Sequence, residues 1–397
     1  MRVATICVAL LLLQPCLAAP VVTVPVFKSG ESGVAAFRIP GLLSFESKGS
    51  GYMLAYAEGR VAGCGDFSGT HTVVIKRSAD RGRTWSPLST IMDPLEMFGA
   101  AACPRTTNSG CEFWDPTAVF DRDTGDVLLL AALSRSNQSR MDAHMSMWMT
   151  RSSDAGLTWA APTNLTSQLL NADGSMTTPG NGHAIQLASG RLLVSGYLRP
   201  AGDSSEHCVT LASDDHGKSW FNQLANLSAG DGTSECEATE ISGAVGAPTL
   251  LMDERMNAKD QRTYGGCGEG VALCRWRSTS TDGGASWTGP VPQPALPDPS
   301  CAAGQAAWST RGPTAMLFAN SASVTARKNV TVRASLDGGK TWPMSQLVSG
   351  PGGYVDVQLV PADGRVPHDE AAVLYEVDSC GGLNLALVNL GALERGV

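Results

Sequence analysis

Charge is scarce in this chain. Asp, Glu, Lys and Arg make up 17% of the 397 residues, below the roughly 25% of ordinary soluble chains, and their sum is -8. Nucleic acid and anionic membrane surfaces repel a net negative protein, so neither fits as its main partner. Any anionic substrate then needs a local cluster of cations. Long apolar runs are scarcer still. One run, Ala4 to Leu13, follows Met1 and Arg2 and ends at Gln14, Pro15 and the small residues Ala18 and Ala19. A run of about ten falls well short of the ~20 residues that span a bilayer. Its charged start, apolar middle and small-residue end have the order of a secretory signal peptide, 1–18, cut after Ala18. The remainder, 19–397, is expected to be one soluble domain of a secreted or lysosomal protein, with no integral membrane segment.

No pair of cysteines has the spacing of a zinc site, and no metal or other cofactor is expected. Beyond the signal segment nine cysteines remain: Cys64, Cys103, Cys111, Cys208, Cys236, Cys267, Cys274, Cys301 and Cys380. In an oxidising compartment Cys103 with Cys111, and Cys267 with Cys274, suit short-loop disulfides, with the rest of the connectivity open and at least one thiol left over. Asn-x-Ser/Thr sequons begin at Asn137, Asn164, Asn226 and Asn329, the last inside a strand-like run.

What the chain does have is Gly (44) and Pro (22), a balance that suits many short strands and turns. It also has a repeat. Ser-x-Asp-x-Gly-x-Thr/Ser-Trp occurs five times, at 78–85, 152–159, 213–220, 280–287 and 335–342, and closes on five of the nine tryptophans. Asp supplies a side-chain bond and Gly a positive φ, as a tight turn between strands demands. Strand-like runs such as TVVIKR, MSMWMTR and NVTVRA lead into the copies. Units of this length holding several strands fit propeller blades. Five marked units plus the remaining chain predict an all-β, six-bladed β-propeller. The repeat resembles the Asp-box of sialidases, and its role there is structural, on the outer rim.

Further segments resemble the same family in the order in which sialidases show them. AAFRIPGLL (35–43) is similar to the FRIP signature, which makes Arg38 the first of three arginines that grip the substrate's carboxylate. LAYAEGRVAGCGDFSG (54–69) is similar to the AEGR stretch and the acidic loop after it. It maps Glu58 and Arg60 to the pocket and Asp66 to the general acid/base, with a raised pKa expected from an apolar, water-poor setting. SECEATEI (234–241) resembles the segment carrying the nucleophile's partner, here Glu235. LLMDER (250–255) gives the second arginine as Arg255, with Asp253 where relatives carry Asn and Arg262 as the fallback. In ARKNVTVRASLDGGKTW (326–342) Arg327 is the third, with Arg333 as competitor. VSGPGGYVDVQLV (348–360) resembles the nucleophile segment and offers Tyr354. Glu376, in AVLYEVDS (372–379), would steady the first arginine, and His183, in GNGHAIQL (180–187), would contact substrate.

The chemistry explains the choice of residues. Sialic acid carries a carboxylate on its anomeric carbon, so a carboxylate nucleophile would meet like charge at contact distance; sialidases use a tyrosine instead. An adjacent Glu removes the phenolic proton, and arginine forks bind the substrate carboxylate bidentately. The resemblance therefore implies a retaining exo-α-sialidase acting on terminal sialic acid of glycoproteins, oligosaccharides or gangliosides. The alternatives are an inter- or intramolecular trans-sialidase, or a sialic-acid-binding propeller without turnover.

Overall fold

A computed structural model describes residues 21–103, 110–135, 145–224, 232–242, 248–257, 266–268, 272–362, 369–378 and 380–395. The expected signal segment 1–18, Asn137, Asn226 and Arg262 lie outside the described residues. Antiparallel strands dominate, with short helices at Pro94–Phe98, Thr166–Leu169 and Leu390–Arg395. Among the described residues no helix is long and apolar enough to cross a membrane.

The fold is an all-β propeller, and its ends explain how the ring closes. Val22–Lys28 pairs antiparallel with Gly382–Asn389, so the first strand of the described chain completes the last sheet, which also contains Glu370–Glu376 and Val355–Leu359. This hydrogen-bonded closure ties the first described strand to the last and hides edges that would otherwise be exposed.

Among the described residues hydrogen bonding divides the strands into five sheets, not into the six separate ones expected. The strands from Ala36–Ser47 to His71–Ser78 and those from Cys111–Asp121 to Thr163–Asn164 form one eight-stranded sheet. The cause is local: His71 pairs in parallel with Glu112, and this one pair joins two antiparallel groups. The other sheets run from Thr178–Pro179 to Phe221–Gln223, from Thr233–Ser242 to Val291–Pro297, and from Gly304–Ala307 to Met344–Pro351.

The five repeats form one turn built five times. In the last, Ser335 Oγ donates to Asp337 Oδ1 at 2.7 Å and accepts from Gly339 N at 2.8 Å, while Asp337 accepts from Thr341 N at 2.9 Å and from its Oγ1 at 2.6 Å. The same bonds recur around Asp80, Asp154, Asp215 and Asp282. The box glycines have φ near +80°, for example 81° at Gly82 and 84° at Gly156, where a side chain is strained. A Cβ there would also strike the preceding group of strands: 2.6 Å from Leu385 at Gly82, 2.6 Å from Leu54 at Gly156, within the same eight-stranded sheet, and 2.1 Å from Leu128 at Gly217. Each box thus seats on its neighbour, and the tryptophans that close the boxes pack in the apolar clusters between sheets. Disulfides Cys103–Cys111 and Cys267–Cys274 form as expected. A third, Cys64–Cys380, spans 316 residues.

Candidate active site

Three strands turn side chains toward the ring's centre by the same device. Register shifts fall between Arg38 and Gly41, Trp114 and Thr117, and Ser234 and Glu237. At each, a non-glycine residue takes a positive φ: Ile39 at 58°, Asp115 at 50° and Glu235 at 44°. A β-branched residue at such a φ is uncommon and persists only where its surroundings fix it. Here they do. Ile39 N donates to Glu376 Oε1 at 3.2 Å and Asp115 N to Glu58 Oε1 at 3.0 Å. Bulges of this kind re-aim side chains beside functional sites.

Tyr354 stands where these elements converge, just before Val355–Leu359, and is 4% exposed. Its hydroxyl donates to Glu235 Oε1 at 2.6 Å and accepts from Arg255 Nη1 at 2.8 Å. Arg255 also donates to Glu235 Oε2. The guanidinium carbons of Arg327, Arg38 and Arg255 lie 4.8, 5.1 and 6.0 Å from the centre of the Tyr354 ring. Glu376 holds Arg38 through Nε at 3.0 Å and accepts from Tyr354 N at 3.1 Å, so one carboxylate positions an arginine and the tyrosine backbone together.

The electrostatics follow from this packing. Burial pushes the Tyr354 phenol well above its ordinary range, and the nearby Arg255 only partly offsets that. Tyr354 is therefore a neutral donor at rest. Burial alone would raise the Glu235 carboxyl as well, but Arg255 and the Tyr354 hydroxyl outweigh it and hold Glu235 below the usual carboxylate range. A ready proton acceptor thus faces a neutral phenol across 2.6 Å.

Arg60 and Glu58 are both fully buried and paired, with Nη2 to Oε2 at 2.7 Å. Arg60 Nη1 also reaches Asp66 Oδ1 at 2.9 Å, and Arg38 Nη1 reaches the same oxygen at 3.4 Å. The setting of Asp66 differs from the expected apolar, water-poor one. Its side chain is 46% exposed and bridges two guanidinium groups, because the loop around it is glycine-rich and leaves its outer side open.

His183 does not join this cluster. Its Nδ1 is 3.0 Å from Asp356 Oδ1 and 3.6 Å from Glu237 Oε2, and it lines a separate cavity of 470 Å³ that contains neither Tyr354 nor the three arginines. The reason is the backbone: Ala184 N donates to Ala118 O, and this fixes the segment against a strand that turns His183 toward the buried carboxylates. His183, Glu237 and Asp356 are close enough to share a metal ion. Each of the four carboxylate oxygens, however, already accepts a backbone N–H, from Leu42, Val357, Gln305 and His183. Through these bonds the trio ties together the segments of Leu42, His183, Gln305 and Val357. Arg333 is also elsewhere, bonded to Asn320 at 2.9 Å.

Several contributors carried no signal in the sequence. Ser300 Oγ accepts from Arg255 Nε at 3.3 Å, and the Cys301 thiol packs with Ile39 and Tyr354, where burial pushes it up to about 12. Asp253, which departs from the family's Asn, has its own partner. Arg275 grips it through Nε at 2.9 Å and Nη2 at 2.6 Å and also donates to Cys301 O. The departure is thus matched inside the fold, beside the strand position of Arg255.

Residues 51–366 match the BNR repeat-like domain. The chain belongs to the BNR-repeat sialidase family. It is 28% identical to a sialidase of Bacteroides fragilis over 88% of this chain and 61% of that protein. A sialidase of Micromonospora viridifaciens is 29% identical over 92% of this chain and 53% of its own length. The chain thus spans little more than half the length of these curated relatives. Among solved structures it resembles the Hadza microbial sialidase Hz136, with a TM-score of 0.78 at 24% identity, covering 94% of this chain and 69% of that one. It also resembles an intramolecular trans-sialidase from Ruminococcus gnavus, solved with oseltamivir carboxylate, at 0.74 and 17%, covering 92% and 97%. At these identities the likeness to solved structures is one of fold.

Proposed function

We propose that this member of the family is a retaining exo-α-sialidase that releases terminal sialic acid from glycans. The observation that carries the reading is the Tyr354–Glu235 hydrogen bond of 2.6 Å among three arginines. Arg38, Arg255 and Arg327 bind the sugar carboxylate. Glu235 takes the phenolic proton as Tyr354 Oη bonds to the anomeric carbon, and the bond to the leaving oxygen breaks as Asp66 donates its proton there. In the second step Asp66 takes a proton from water as the water oxygen bonds to the anomeric carbon from the face the leaving group left, opposite Tyr354; the bond to Tyr354 Oη breaks, Glu235 returns the phenolic proton, and the configuration is retained. Substrate binding contributes to this sequence, because a carboxylate gripped by Arg38 competes with the 3.4 Å contact between Arg38 and Asp66.

The finer architecture goes with this reading. Counting the eight-stranded sheet as two blades joined at His71 and Glu112 gives six. Three disulfides support maturation in an oxidising compartment, in keeping with a signal segment at 1–18. Transfer to an acceptor instead of water has one specific feature in its favour. Phe67, next to Asp66, is 54% exposed and packs edge-on against Trp114 with centroids 5.9 Å apart, a surface on which an acceptor sugar could rest. Product analysis with and without added lactose separates hydrolysis from transfer.

The test is release of fluorophore from the umbelliferyl α-ketoside of N-acetylneuraminic acid by the parent, Tyr354→Phe and Asp66→Asn proteins. Turnover by the parent that is lost in Tyr354→Phe is the expected result. A folded parent without turnover at any pH, on this or a related sialic acid, overturns the reading in favour of a binding propeller.

A further inference from the structure

Asp66 lies on the loop that joins Ser50–Arg60 to His71–Ser78, whereas Glu376 belongs to the closing sheet and Tyr354 immediately precedes its strand Val355–Leu359. Acid and nucleophile are therefore carried by segments attached to different sheets. Among the described residues one covalent tie crosses between those two bodies: Cys64, two residues before Asp66, is bonded to Cys380, four residues after Glu376. Both ends are also held by hydrogen bonds. Cys64 O accepts from Arg60 Nη1 at 2.6 Å, Cys380 N donates to Asp378 Oδ1 at 2.7 Å and Cys380 O accepts from Ser29 Oγ at 2.8 Å. The bridge differs from the other two in accessibility. Cys380 is exposed and Cys64 half-buried, while Cys103, Cys111, Cys267 and Cys274 are at most 1% exposed.

We infer that the Cys64–Cys380 disulfide is a positioning element for Asp66, open to reductant, which governs proton delivery to the leaving oxygen while leaving nucleophilic attack intact. The inference rests on the hydrolase reading above. A half-exposed carboxylate on a glycine-rich loop has many accessible positions, and proton transfer needs heavy atoms about 2.6–3.2 Å apart. Fixing the loop to the closing sheet limits those positions relative to Tyr354. The covalent step that undoes the tie is balanced: a dithiol such as dithiothreitol supplies two electrons and two protons and becomes a cyclic disulfide, and Cys64 and Cys380 become thiols.

The test exploits the leaving group. An aryl ketoside departs as a stable phenolate and needs little protonation, whereas a sugar alkoxide needs the acid. The disulfide-bonded protein, its Cys64→Ser/Cys380→Ser variant, and the parent after mild reduction and alkylation are compared on the umbelliferyl ketoside and on sialyllactose. Losing the tie is expected to lower kcat/KM, which reports only the steps through departure of the leaving group, on sialyllactose on the order of tenfold to a hundredfold, with kcat/KM on the aryl substrate changed less than about threefold. In an Asp66→Asn background the same loss of the tie adds nothing further. Equal losses on both substrates, or no loss on either, overturn the inference. If the serine variant does not fold, the mildly reduced parent, its bridge opening mapped by alkylation and its fold checked by melting, gives the same comparison. Absence of turnover by the disulfide-bonded protein on both substrates overturns the hydrolase reading itself.

Discussion

At Tyr354 burial and charge pull in opposite directions, and burial wins, so the hydroxyl keeps its proton at rest. For Glu235 the balance is reversed, and it stays ionised below the ordinary carboxylate value of 4.5. The acid limb of kcat/KM set by Glu235 should therefore lie below that value, since protonating Glu235 as pH falls removes the acceptor. A pH–rate profile on the aryl ketoside checks this, and Glu235→Gln should remove the limb along with most of the activity. Arg327→Lys should lower kcat/KM by about 10- to 100-fold, because ammonium cannot replace the planar fork on a carboxylate. Most of this site was legible in short motifs, because each motif fixes its own strand or loop locally. His183 and the surroundings of Asp66 were not, since both depend on what a neighbouring sheet places beside them.

The turns of the repeat bear on stability and not on chemistry. Ser335 is fully buried and satisfies Gly339 N, so Ser335→Ala leaves that N–H unpaired. The loss should be about 1–3 kcal/mol in denaturant unfolding with kcat unchanged. The Asp-box was readable because one Ser, one Asp and one Gly define the turn wherever it occurs. The bulges at Ile39, Asp115 and Glu235 were not, because one extra residue disturbs an alternating pattern too briefly to be seen in sequence. Nor was the bond between Cys64 and Cys380, whose separation of 316 residues says nothing of proximity.

Across the whole molecule the inner strands meet at a buried joint. Asp356 accepts from Leu42 N at 2.7 Å, Glu237 from Gln305 N at 2.6 Å, and His183 reaches both carboxylates. Burial first, and Asp356 second, push the Glu237 carboxyl well above its ordinary value of 4.5. In the window from that value up to the folded pKa the native state holds a proton that the unfolded chain releases, so stability falls as pH rises. Glu237→Gln should flatten that part of the stability profile; a slope left unchanged in urea titrations across pH would contradict it. Ring closure through the first described strand was foreseen only as a propeller, because pairing across the length of the chain leaves no local mark.

The central claim is that Tyr354 forms a covalent bond to the sugar. The most direct measurement is mass spectrometry of peptides from protein incubated with a 3-fluorosialosyl fluoride, which reacts in the first step and resists the second. The account requires one added sialosyl group on the peptide containing Tyr354, absent from Tyr354→Phe. An adduct on Glu235 or Asp66, or steady turnover of this reagent by Tyr354→Phe, would contradict it.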